Sequence, residues 1–336
     1  MTTKDFIAKI PKADLHVHLE GTMEPELIFR LAKRNDIALP YPDLSHLKAA
    51  YKFDHLADFL SVYYQGTKVI RTSRDFYDIT LAYLQRAATE NTLHADIFID
   101  PQAHLDKGIT LEMMLDGVLP AVEESRKKYG ISTGLILCFL RHRPLEESIQ
   151  ILQSIGPLQA HFAAVGLAAK ELGHPPKDFT RLYEMAGKMG LRRTAHAGEE
   201  GPADYVRQAV ELLRVDRIDH GNSIVEDPGL MQRVKEAQIP LTLCPLSNLH
   251  LQVIEDMKAH PADRLLRAGL KVTINSDDPS YFGGYMNANL LAVSEAFDWG
   301  QDQIIQVMRN SFDAAYTSPE RKVEMHQILT DFINNI

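Results

Sequence analysis

His16 and His18 stand two residues apart in the run His-Val-His-Leu-Glu-Gly. Side chains on a strand alternate with a period of two, so a strand here points both imidazoles to one face. A third histidine, His196, closes a β-type run in His-Ala-Gly-Glu-Glu, and Asp277 closes another in Asn-Ser-Asp-Asp-Pro. Three imidazole nitrogens, one carboxylate oxygen and an open position for water form the donor set of a catalytic zinc site, where the pKa of the water falls to about 7. The dominance of imidazole favours zinc over magnesium, although iron, cobalt and manganese accept the same donors. The expectation is one Zn2+ per chain on His16, His18, His196 and Asp277.

Hydrolysis at such a centre also needs groups that move protons. Glu199, three residues beyond His196, can reach a substrate beside the metal and protonate a ring nitrogen. His220 ends an apolar run in Asp-His-Gly, where it can hold the attacking water and take its proton. Asp278 directly follows Asp277, so it points elsewhere and is free to meet the substrate. Each has a plainer alternative: a surface glutamate beside Glu200, a hydrogen-bonded core histidine and a helix cap.

These groups converge only if the elements carrying them do. Eight short apolar runs (13–19, 94–99, 132–140, 162–167, 193–197, 217–220, 240–244 and 271–275) alternate with longer amphipathic stretches, the pattern of a parallel α/β protein. Several runs end in polar residues, and a (β/α)8 TIM-like barrel assembles its active site at the carboxyl ends of its strands. A Rossmann fold would need a Gly-x-Gly-x-x-Gly turn, and the chain has none. About 70 residues separate the first two runs and hold helical patterns at 56–70 and 74–89, an insertion suited to a substrate lid. Residues 301–336 read as two or three extra closing helices. With no linker, repeat or low-complexity segment, residues 1–336 are expected to form a single domain.

Bulk composition narrows the partners. The 336 residues carry 36 basic and 45 acidic side chains, a net charge of -9, and the basic ones are dispersed, so no nucleic-acid footprint is present. No apolar stretch is long enough to span a membrane, and the first ten residues lack a secretory apolar segment, which points to a cytoplasmic address. Cys138 and Cys244 lie in apolar runs and read as buried hydrophobes rather than a disulfide framework.

Taken in order, the motifs containing His16, His196, His220 and Asp277, with Cys-Pro-Leu-Ser-Asn between the last two, resemble the adenosine and adenine deaminase family of the amidohydrolase superfamily, over essentially the whole chain. The resemblance implies hydrolytic removal of the 6-amino group of a purine, with Glu199 protonating N1, His220 orienting the water and Asp278 contacting N7. Three features look closer to the adenine group, and so to deamination of adenine in purine salvage. Glu20 stands where adenosine deaminases tend to carry an aspartate near the ribose. Residues 97–108 are similar to a Phe-Asp-Pro-Gln-x-His signature. Glu171-Leu-Gly-His-Pro-Pro replaces a Leu-Ala-Gly-Asp-Glu turn. Glu20 and Glu171 are therefore expected to bind substrate. One departure is Gly166-Leu-Ala168-Ala169 in place of Gly-x-Asp-Ser, which removes two polar groups near the base.

Other readings are adenosine, 2′-deoxyadenosine or an N6-substituted adenine as substrate, and a purine-binding barrel without chemistry. A two-metal amidohydrolase would use a lysine at the end of strand four, where Lys170 sits beside Glu171 and reads as a solvated loop residue. A cytidine-deaminase site needs Pro-Cys-x-x-Cys, which is missing. Phe59, Tyr63 and Tyr64, from the insertion, fit a pocket wall or an ordinary core.

Overall fold

The computed structural model describes residues 1–53 and 55–335. All eight expected strands form: β1 (Lys12–His18), β2 (Thr92–Ile99), β3 (Ser132–Leu140), β4 (Phe162–Ala168), β5 (Arg192–Ala197), β6 (Arg217–His220), β7 (Leu241–Leu243) and β8 (Val272–Ile274). They pair in parallel in chain order, each with the next, with helices outside, as a (β/α)8 barrel requires. The last two strands are shorter than their apolar runs. Cys244 caps the helix Pro245–His250, whose first residue is a proline, and Asn275 diverts its side chain to the neighbouring strands.

The ring closes between β8 and β1, just past the end of β8. Asp277 N–H donates to His16 O at 2.8 Å and His18 N–H to Asp277 O at 3.0 Å, forming a parallel bridge between Val17 and Asp277. Side chains reinforce this seam. Asn275 Oδ1 accepts from Leu15 N–H at 2.9 Å, its Nδ2 donates to Leu243 O at 3.2 Å, and Ser276 Oγ donates to the buried carboxylate of Asp14. The polar run Asn275-Ser276-Asp277 therefore fastens the barrel shut and carries the Asp277 side chain to the mouth of the ring.

Among its described residues the insertion holds four α-helices where sequence patterning predicts two: Pro25–Arg34, Leu44–Ala49, Leu56–Thr67 and Ser73–Thr89. The first two are short, and their starts are marked only by Pro25 at the first turn and the Asp43 cap. The expected 56–70 helix ends at Thr67. The tail is two helices, Gln301–Ala314 and Pro319–Asn334, the second capped by Ser318; Ile336 lies outside the described residues. Beneath the site the lumen is filled by Phe98, Ile136, Cys138, Ala164 and Tyr316. Below them Asp96 accepts from Arg217 at 2.5 Å, beside His94 at 2.8 Å, and the Arg217 guanidinium lies 4.1 Å over the Tyr316 ring.

At the start of β1, buried Lys12 donates to Ile10 O at 2.7 Å and Glu90 O at 2.8 Å. Burial lowers its pKa from 10.5 to about 7, against the pull of the Glu90 charge. Between those two values the unfolded chain holds a proton that the folded chain has released, so this residue's contribution to stability rises with pH across that window. Urea denaturation at pH 7 and pH 9.5 is expected to show wild-type protein gaining stability relative to Lys12→Met; a pH-independent difference between the two would contradict this.

Candidate active site

At the carboxyl end of the barrel the sequence-predicted donors meet. His196 Nε2 lies 3.1 Å from His16 Nε2 and 3.2 Å from His18 Nε2. Asp277 Oδ1 lies 3.4 Å and 3.7 Å from those same two nitrogens. Donors at 2.0–2.1 Å in tetrahedral array around one ion stand roughly 3.3–3.4 Å apart, so these spacings fit a single metal.

The outer nitrogens strengthen this fit. His16 Nδ1 faces Thr242 Oγ1 at 3.0 Å, and that hydroxyl donates to Asp219 Oδ1 at 3.1 Å, so it must accept from an Nδ1–H. His196 Nδ1 faces Asp219 Oδ2 at 3.5 Å and His18 Nδ1 faces Asp100 Oδ2 at 3.7 Å, partners that also favour Nδ1–H. Three Nε2 lone pairs then point at one another, an arrangement that only a cation relieves. Burial alone would lower the His18 pKa, yet Asp100, Asp278 and Asp277 raise it to about 10. Burial and His16 hold His196 down to about 4. The carboxylates thus pull one positive charge into the cluster, and a divalent ion supplies it without the proton.

Glu199 sits on the turn after β5, and the structure shows what shapes that turn. The buried Glu171 carboxylate accepts four backbone N–H groups, from Gly198 at 2.6 Å, Glu199 at 3.0 Å, Glu200 at 2.9 Å and Gly201 at 2.9 Å. Both of its oxygens are engaged beneath the loop, and it does not line the cavity. Glu199 itself does. Burial, with Asp277 and Glu171 as negative neighbours, pushes its carboxyl well above the usual range.

His220 Nε2 lies 3.5 Å from Glu199 Oε2 and 4.0 Å from Asp277 Oδ2. Burial, with His16 as its neighbour, keeps its pKa well below normal, so the imidazole is neutral and has a ring nitrogen able to accept a proton. His220 and Asp277 both adopt the left-handed backbone region, with φ of 62° each, which costs on the order of 1–3 kcal/mol per residue and turns the strand ends into the mouth. Asp278 lines the cavity, and its Oδ1 has no hydrogen-bond partner among the described residues. Gly21, from the Leu-Glu-Gly motif, makes room for it: a Cβ there would lie 1.8 Å from Asp278 Oδ1.

The cavity and its open mouth together enclose about 450 Å³, solvent space included. Leu56, Phe59, Leu60, Tyr63 and Tyr64 of the Leu56–Thr67 helix wall it, opposite Leu140, Ala168 and Ala169 at the ends of β3 and β4. The aromatic residues do both jobs considered from sequence, since Phe59 and Tyr63 also belong to a small buried cluster with Phe53, Tyr281 and Phe282. Glu20 is elsewhere. The 3-10 turn Glu20–Thr22 sends it to His104 Nε2 at 2.6 Å; His104 Nδ1 meets Lys107 Nζ at 3.0 Å, which donates to Thr67 O at 2.8 Å. It is tied to the end of the cavity-covering helix and is absent from the cavity wall.

Sequence reasoning passed over Asp100, Asp219 and Thr242. Asp100 lies inside the 97–108 stretch and Asp219 inside Asp-His-Gly, both singled out in the sequence, and the polar ends of β2 and β6 were the available signal. Thr242, in the middle of an apolar run, carried none.

A barrel with such a donor cluster at its mouth, flanked by the Glu199 carboxyl and the His220 imidazole, defines a metal-dependent amidohydrolase. Within that class the chain belongs to the adenosine deaminase family, whose model matches residues 11–332. It is 48% identical over 332 residues to an adenine deaminase of Hahella chejuensis, covering 99% of both chains. Among solved structures, it superposes on an adenine deaminase from Arthrobacter aurescens with a TM-score of 0.94 at 42% identity, covering 97% of this chain and 99% of the other. It also superposes on an amidohydrolase from Burkholderia ambifaria with bound zinc, with a TM-score of 0.90 at 26% identity, covering 100% and 96%. No helix among the described residues is long and apolar enough to cross a membrane.

Because one carboxylate backs two metal-facing imidazoles, Asp219→Asn is expected to weaken metal binding about 10- to 100-fold, the usual effect of removing such a partner. Chelator competition followed by metal analysis reads this directly. Asp96→Asn is the control, because it disturbs the buried Arg217, whose Nε lies 3.7 Å from Asp219 Oδ1, without touching a donor; equal metal loss in both variants would refute the assignment.

Proposed function

We propose that the chain hydrolyses free adenine to hypoxanthine and ammonia, with one zinc ion per chain, as a purine-salvage step in the cytoplasm. The observation that carries the substrate is the cavity wall. Apart from the metal-facing donors, Glu199 and His220, its polar side chains are Asp100, Asp278, Tyr63 and Tyr64, and the remainder is apolar. That surface matches a flat heteroaromatic base and offers little to the hydroxyls of a ribose. The similarity to adenine deaminases over nearly the full chain points the same way.

His16, His18, His196 and Asp277 would hold the ion, which when bound lets water act as a nucleophile near neutral pH. Glu199 donates its proton to N1, which makes C6 electrophilic. His220 takes a proton from the attacking water and returns it to the amino group, so that ammonia leaves. The second water proton passes to Glu199 as the C6–O bond becomes a carbonyl, restoring the acid while N1–H stays in hypoxanthine. Asp278 holds N7 throughout. Glu171 acts through the loop, fixing where Glu199 stands.

Comparing kcat/KM for adenine, adenosine, 2′-deoxyadenosine and an N6-alkyladenine by ultraviolet absorbance tests the assignment, with adenine expected to lead; adenosine ahead by severalfold would overturn it. Glu199→Gln is expected to keep its metal and lose about 10²- to 10⁴-fold in kcat, the range for a general acid. Full turnover in that variant would remove Glu199 from the mechanism.

A further inference from the structure

The inference rests on the adenine reading and concerns how the site distinguishes the free base from its 9-substituted forms. The strands form a ring in chain order that closes from β8 to β1 through the Val17–Asp277 bridge. The purine perimeter is also a ring, running N1, C6, N7, N9, N3 and back to N1. With N1 at Glu199 beyond β5, C6 over the metal-facing cluster and N7 at Asp278 beyond β8, the same rotation brings N9 to the end of β2. It brings N3 to the end of β4, where Ala168 and Ala169 line the wall. The side chain at the end of β2 that lines the cavity is Asp100.

Asp100 is only 3% exposed. Its Oδ2 lies toward His18 Nδ1 at 3.7 Å, whereas its Oδ1 is buried without a hydrogen-bond partner among the described residues. A buried carboxylate oxygen left unpaired is costly, and its presence on a cavity wall implies that the ligand pairs with it. A carboxylate accepts hydrogen bonds, and of the ring nitrogens of neutral adenine only the imidazole one carries hydrogen, predominantly N9. We infer that Asp100 determines specificity by accepting the N9–H of the free base. A nucleoside has carbon in place of that hydrogen, so it leaves the carboxylate unpaired and presses a sugar against it. A site built to pair with a donor rejects an analogue that lacks it far more strongly than shape alone allows.

Asp100 also stands behind His18, so a simple loss of activity on substitution would not separate its two contacts. The ratio of kcat/KM for adenine to that for 9-methyladenine does, because weaker metal holding slows both substrates together. Wild-type enzyme is expected to favour adenine strongly, and Asp100→Asn and Asp100→Ala to reduce the ratio about 10- to 100-fold, as loss of a charge-assisted hydrogen bond implies. An unchanged ratio with both rates lowered would confine Asp100 to the support of His18 and overturn the inference. If a variant retains too little metal to turn over, the ratio of dissociation constants for adenine and 9-methyladenine, measured by calorimetry, separates the two contacts in the same way. Wild-type enzyme inactive on adenine would instead defeat the function proposed above, a separate result.

Discussion

Three imidazole lone pairs and a carboxylate directed at one point form an arrangement that repels itself until a cation occupies it, and the upper half of the barrel is organised to hold it. The Nδ1 partners fix the tautomers, the left-handed turn at Asp277 brings in the fourth donor, and Phe98 packs against all three rings, stacked on His18 with centroids 4.7 Å apart. The same Asp277 closes the strand ring through its backbone. Barrel closure and the candidate metal cluster therefore share a residue, and an error in one would be felt in the other.

Charge is sorted across a few ångströms. Asp277 is held well below the ordinary carboxylate range, burial being outweighed by His16 and the other imidazoles, whereas burial and the neighbouring Asp277 push Asp278 well above it. Adjacent residues of one motif thereby lean in opposite directions, Asp277 toward the anion and Asp278 toward the neutral acid. Gly21 makes this possible by leaving no side chain where Asp278 must stand.

The strands, and the residues that gather into the His/Asp cluster, were legible in the sequence because both depend on local periodicity. Parallel strands buried on both faces read as continuous apolar runs, and their abrupt polar ends mark the mouth. His16 and His18 declare a common face by spacing alone. What escaped was whatever tertiary approach decides. Glu171 resembles a substrate contact in sequence, but its partners are backbone N–H groups about 30 residues onward. Glu20 follows the ligand strand directly, and a single 3-10 turn takes it to His104 instead of the cavity. Asp219 neighbours a conspicuous histidine, and nothing in its own surroundings in the chain announces two imidazoles from other strands.

The Asp219 carboxylate has one oxygen turned to His196 and the other reached by Thr242, which in turn receives His16. Positions 219 and 242, on adjacent strands, are thus bound into a single proton-ordering circuit, and a hydroxyl lost at one leaves the carboxylate at the other misdirected. A substitution at either position therefore alters what the other can hold in place, so the two side chains act as one unit in orienting His16.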